Sequence, residues 1–113
     1  MLTLDALKNF GADVEAGMAR CINNEAFYMR MVRMAIADAN FDKLLEAAEA
    51  GDVKTGFEAA HALKGIAGNF ELTAIFTPVS ELTERLRGGA DCDFLEESRT
   101  ICGLRDTLKA LDE

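Results

Sequence analysis

The chain has a single histidine, His61, in the stretch AHALKGIAGNF at residues 60–70. A neutral imidazole is a competent nucleophile, and an imidazole in water titrates near ~6.5, so the neutral form is plentiful around pH 7. The residues around it read as helix, which advances ~100° per residue. With His61 at the origin, Ala59, Leu63, Ile66 and Phe70 fall within about 40° of the opposite side and define the core line. His61 therefore points outward, in the company of Lys54, Phe57, Glu58, Lys64, Gly65 and Gly68. Lys64, three residues on, can set an ammonium beside an anion held on the ring. Gly65 and Gly68 each cost the helix ~1 kcal/mol relative to alanine. On the histidine side they bare the backbone and clear an approach, while Phe57 offers an apolar docking contact. A nucleophile, a nearby cation and a cleared path suit capture of a phosphoryl group. No second titratable group stands ready as general base and no magnesium cage is evident, so a partner must bring the metal and the activated phosphoryl group.

The elements that must position this face are helices throughout. Alanine, leucine, glutamate, methionine and lysine dominate, and no run alternates as a strand would. A short helix is expected over Thr3–Asn9, capped by Thr3 and stopped by Gly11. Asp13 caps a second, with Val14, Met18, Cys21 and Ile22 on one side. Asn24 caps a third that runs to about Asp38 and carries Phe27, Tyr28, Met31, Val32, Ala35 and Ile36 on a wide apolar face. Its methionines would also suit an adaptable groove, but core packing is the favoured reading. A fourth helix covers about Phe41–Ala50 and ends at Gly51. Asp52 caps the histidine helix, which should run to about Phe70. The next spans roughly Leu72–Arg87 with Ile75, Val79, Leu82 and Leu86 buried, and Gly88 and Gly89 end it. Asp91 or Asp93 starts the last, with Phe94, Ile101, Leu104, Leu108 and Leu111 inward. Pro78 conflicts with its helix, since an internal proline costs ~3 kcal/mol. The apolar period continues past it, so a kink or a break that preserves direction is expected.

Composition narrows the function. The chain has 113 residues, half of them hydrophobic, and reads as one domain over residues 1–113 with no linker or repeat. Its formal net charge of -8 repels a nucleic-acid backbone. No apolar run approaches the ~18 residues of a membrane span, and the N-terminal stretch lacks a signal-peptide pattern. A cytoplasmic monomer is expected. Cys21, Cys92 and Cys102 are too few and too scattered for a disulfide framework or, with one histidine, a zinc site. Arg99 and Arg105 flank Cys102 in sequence and could lower its pKa, but the three are read as ordinary thiols. No metal or cofactor of its own is expected.

The run AHALKGIAGN resembles the signature of histidine-containing phosphotransfer domains, the HPt modules of multistep phosphorelays. The pattern His-x-x-Lys-Gly followed by small residues falls on His61, Lys64 and Gly65, with Gly68 at another small position. SELTERLR resembles the Leu-rich partner helix of the family. The resemblance covers about residues 53–87 in detail. It implies an all-α fold, an antiparallel up-down four-helix bundle with short additional N-terminal helices, and the short loops independently call for antiparallel neighbours. It implies that His61 accepts a phosphoryl group on Nε2 from the aspartate of a receiver domain and passes it to another receiver, which contributes Mg²⁺. Lys64 would be the charge partner, and Gly65 and Gly68 the clearance. The family often has a third glycine where this chain has Glu71. The position of a ring-orienting polar residue on the next helix falls on Thr83. Arg87, one turn later, matches a site that is basic in some members and could hold phosphate, or is a solvated surface arginine.

Three functions compete. The first is a phosphorelay carrier with no catalytic machinery of its own, serving receivers of response regulators or hybrid kinases. The second is a docking or scaffold module that binds receivers and transfers nothing, a reading that Glu71 and Thr83 favour. The third, a hydrolase pairing a cysteine with His61, fits poorly with an outward ring. No nucleotide motif is present, so self-phosphorylation from ATP is not expected.

Overall fold

Polar caps and glycine stops divide the chain where the sequence places them. The computed structural model describes residues 1–113 and contains helices α1 (Leu4–Phe10), α2 (Val14–Arg20), α3 (Glu25–Ile36), α4 (Asn40–Ala50), α5 (Val53–Asn69), α6 (Thr73–Leu86) and α7 (Leu95–Leu111). Thr3, Asp13, Asn24 and Asp52 each accept a hydrogen bond from a backbone N–H in the first turn that follows, satisfying donors the helix leaves free. Gly11 and Gly51 end α1 and α4 in the left-handed region, at φ 115° and 70°.

Helices α4 to α7 form the bundle: α5 lies between α4 and α6, and α7 closes the ring against α4 and α6. The all-α reading and the helical bundle both hold. The interior is filled by Leu44, Leu63, Ile75, Val79, Leu82, Leu86, Phe94, Ile101 and Leu108, all essentially without solvent contact. Helices α1, α2 and α3 pack at one end, where Leu2, Leu7, Tyr28 and Val32 join the same core.

The junction between α5 and α6 is locked by backbone geometry. Leu72 N–H donates to the Ala67 carbonyl and Glu71 N–H to that of Gly68, which is the paired pattern of a Schellman ending. Glu71 sits at its left-handed position, at φ 58°. This explains why glycine suits the site, and the Glu71 carboxylate is occupied by Arg20 at 2.8 Å. The α1–α2 linker bolts onto the same turn: Asp13 N–H donates to the Glu71 carbonyl and Ala74 N–H to that of Gly11.

Several side chains lie elsewhere than their helical phase suggests. Ile22 is exposed because α2 ends at Arg20 and the chain turns through left-handed Ile22 and Asn23. Phe27 is exposed on α3 and stacks with Arg30, while Met29 takes an inward place. Leu111 is exposed in the last turn of α7. Ile66 and Phe70 are only half-buried, and the inner line of α5 runs through Gly56, Ala59, Ala60, Leu63 and Ala67. Helix α6 runs through Pro78 without a restart. Helix α7 begins at Leu95, whose N–H bonds the Asp93 carboxylate at 3.1 Å.

All three cysteines are free thiols, Cys21 and Cys102 buried and Cys92 half-buried. Cys102 is buried and donates its S–H to the Phe41 carbonyl at 3.2 Å. Burial pushes its thiol upward, outweighing the opposing field of Arg105. Arg105 itself is buried against the Phe41 ring, bonding Asp106 at 2.7 Å and Asp42 at 3.2 Å, and so ties α7 to α4.

Candidate functional site

Helix α5 is anchored along its inner line, which leaves the opposite side to solvent. His61 lies midway along it and is exposed. One turn earlier the half-buried Phe57 ring stacks on the imidazole, with centroids 5.7 Å apart and planes 14° from parallel. A second neighbour of Phe57 comes from the residue that ends α6: the Arg87 guanidinium carbon lies 5.4 Å from the phenyl centroid, a cation–π contact. Arg87 in turn grips Glu84, with Nη2 2.8 Å from Oε2 and Nε 3.2 Å from both carboxylate oxygens. The face therefore reads His61, Phe57, Arg87, Glu84 across two adjacent helices.

Lys64 is half-buried one turn past His61. The Glu84 carboxylate is held below its ordinary range, first by the Arg87 hydrogen bonds and then by the positive fields of Arg87, Lys64 and His61.

The glycines of α5 divide by task. A Cβ built on Gly65 meets nothing within 4 Å, so the backbone one turn past His61 is open to an approaching molecule. A Cβ on Gly68 lies 3.3 Å from the Phe76 ring; its lack of a side chain serves the close packing of α6 and not free approach. Gly56, unremarked in the sequence, admits the Phe94 ring, 2.5 Å from where its Cβ would stand.

Thr83 does not face the imidazole. It is completely buried in α6 and donates its hydroxyl to the Val79 carbonyl one turn back, at 2.8 Å. A short β-branched side chain on the inner face satisfies its hydroxyl on its own helix, so it has no donor left for the ring. Orientation of His61 comes instead from Phe57. The structure therefore gathers His61, Lys64, Gly65, Phe57 and Arg87, sets Thr83 in the core and gives Gly68 to the helix interface. Glu84 was missed, although its spacing from Arg87 is that of a helical ion pair. No group of three or more His, Cys, Asp or Glu side chains is placed to hold a metal ion.

The family model of the Hpt domain matches residues 31–113, from the second half of α3 through α7. The chain belongs to the Hpt domain family. It is thereby a histidine phosphotransfer module of phosphorelay signalling, a class that interacts with receiver domains of two-component systems. Helices α1 and α2 precede the matched span. No curated protein and no solved structure gives a significant match. No helix of the HPt domain is long and apolar enough to cross a membrane.

Proposed function

We propose that this HPt domain is a cytoplasmic carrier that takes a phosphoryl group on His61 from a receiver aspartate and yields it to another receiver. The observation that carries the reading is the exposed imidazole at the middle of α5, with Lys64 one turn on and the open backbone of Gly65 beside it. Nε2 attacks phosphorus, the bond from phosphorus to the aspartate oxygen breaks, and the carboxylate leaves with the electron pair. Delivery is the reverse with a second aspartate. Lys64 offsets the charge on the bound phosphoryl group, and Phe57 holds the ring while a receiver, carrying its own Mg²⁺, lies over Gly65. The domain contributes position and field; the receiver contributes the catalysis.

Incubation with phosphorylated receivers and Mg²⁺ tests the reading. Acid-labile label should appear on the wild-type chain and be absent from His61→Gln, with an unchanged circular dichroism spectrum. Label retained by His61→Gln refutes the assignment. Equal receiver binding by both proteins with no phosphohistidine in either identifies a docking module instead, the role that the inward turn of Thr83 favours.

A further inference from the structure

The Arg87–Glu84 pair poses a physical question. Arg87, the residue directly after α6, spreads over the same phenyl ring on which His61 stacks. Its guanidinium is nevertheless engaged by a carboxylate through a forked set of bonds. A carboxylate offers the geometry that a phosphoryl group would offer, two oxygens to a planar fork. Both partners are exposed, at 52% and 58%, so the pair is bathed in water and exchanges partners at little cost. Arg87 and His61 share the Phe57 ring, the guanidinium carbon 5.4 Å and the imidazole centroid 5.7 Å from the phenyl centroid, so that ring is the surface along which the arginine would move toward the imidazole.

We propose that Glu84 is an internal stand-in for the phosphoryl group: it holds Arg87 on the unloaded domain and competes with phosphohistidine for it, which keeps the bound group labile. The proposal rests on His61 being the acceptor. When His61 is loaded, Arg87 moves from a carboxylate to an anion of higher charge, while Glu84 remains close enough to repel that anion. Both effects oppose tight retention. A carrier that must release its cargo to the next receiver gains from such a competitor, because it flattens the difference between loaded and unloaded states. Glu84 is thus a positioning residue that acts through Arg87.

Phosphoramidate supplies a partner-free test. His61 Nε2 attacks its phosphorus, the P–N bond breaks, and ammonia leaves with the electron pair and takes up the imidazole proton as ammonium. Phosphohistidine is then followed by ³¹P NMR in wild type, Glu84→Gln, Arg87→Gln and the double variant. Glu84→Gln should lengthen the phosphohistidine half-life by about threefold or more, the scale of one exposed ion pair. Arg87→Gln should erase that gain, and the Arg87 Nε–H resonance should move on phosphorylation of the wild type. Equal half-lives in wild type and Glu84→Gln overturn the proposal alone, as does a gain that persists without Arg87. Failure of the wild type to form phosphohistidine at His61 overturns the acceptor assignment and this proposal together.

Discussion

Two glycines of α5 should respond in opposite ways to the same added methyl group. Replacing either with alanine gains about 1 kcal/mol of helix propensity. At Gly65 the new Cβ meets nothing within 4 Å, so the gain is kept whole. At Gly56 it would lie 2.5 Å from two carbons of the Phe94 ring. Carbon atoms prefer about 3.5–4 Å, so the ring must retreat by roughly 1 Å. Phe94 is completely buried and Leu86 lies just behind the glycine, so the movement disturbs the core. Overpacking of this kind costs about 1–3 kcal/mol. Gly56→Ala is therefore destabilised by up to about 2 kcal/mol net, and the two variants should differ by about 1–3 kcal/mol. With a urea slope of about 2 kcal/mol/M, their unfolding midpoints should stand roughly 0.5–1.5 M apart, with Gly65→Ala above the wild type and Gly56→Ala at or below it. Phosphotransfer runs the other way: Gly65→Ala, the more stable protein, should accept phosphoryl from a receiver more slowly, because its methyl stands where the partner approaches. A Gly56→Ala midpoint equal to that of Gly65→Ala refutes the packing argument. Unimpaired transfer in Gly65→Ala refutes the clearance argument.

Two pH responses should follow from groups outside the site. Tyr28 donates to the Phe70 carbonyl at 2.9 Å and is pushed up to about 12 by burial, then by the fields of Cys21, Glu71 and Asp13. A raised folded value means that its contribution is complete below the ordinary tyrosine range near ~10 and is lost as pH climbs through the folded value. Tyr28→Phe should unfold about 1 kcal/mol more easily at pH 7 and show a flatter alkaline limb in denaturant titrations. Asp112 is held low, first by the Leu2 backbone N–H and then by Arg33. Its contribution is present above the ordinary carboxylate range and lost as pH falls through the lowered value, so Asp112→Asn should show a flatter acid limb in thermal melts.

The helices were legible because their ends are written in short-range chemistry. Asn24 and Asp52 cap by reaching three residues along their own chain, and nothing distant alters that. The outward phase of His61 was legible because Ala59 and Leu63 fix the inner side of α5, even though the inner line passes through Ala60 and Ala67 and leaves Ile66 and Phe70 half-buried. Helical phase fails where tertiary contacts overrule it. A likeness of motif fails in its own way: the resemblance puts a ring-orienting polar residue at Thr83, yet Thr83 shares the inner side of α6 with Val79, and its hydroxyl is satisfied by the Val79 carbonyl. Ile22 reads as one more apolar position, yet the chain has already left the helix there. The glycines of α5 could not be sorted from sequence, because only the rings of Phe94 and Phe76, contributed from other elements, distinguish a packing gap from an open approach. Glu84 was within reach: its spacing from Arg87 is local, and only the placement of Arg87 over Phe57 gave it meaning.

The bolting of the α1–α2 linker onto the α5–α6 turn has a consequence for those who call on this domain. The imidazole and its escort ride on a hairpin whose closed end is stapled from outside by main-chain bonds at Glu71 and Gly11. On the proposed function, such a mount offers its cargo in one attitude to every caller. Adaptation then falls to the callers: any two that exchange through this hairpin must present it with the same outline, and discrimination between them has to be written around its rim.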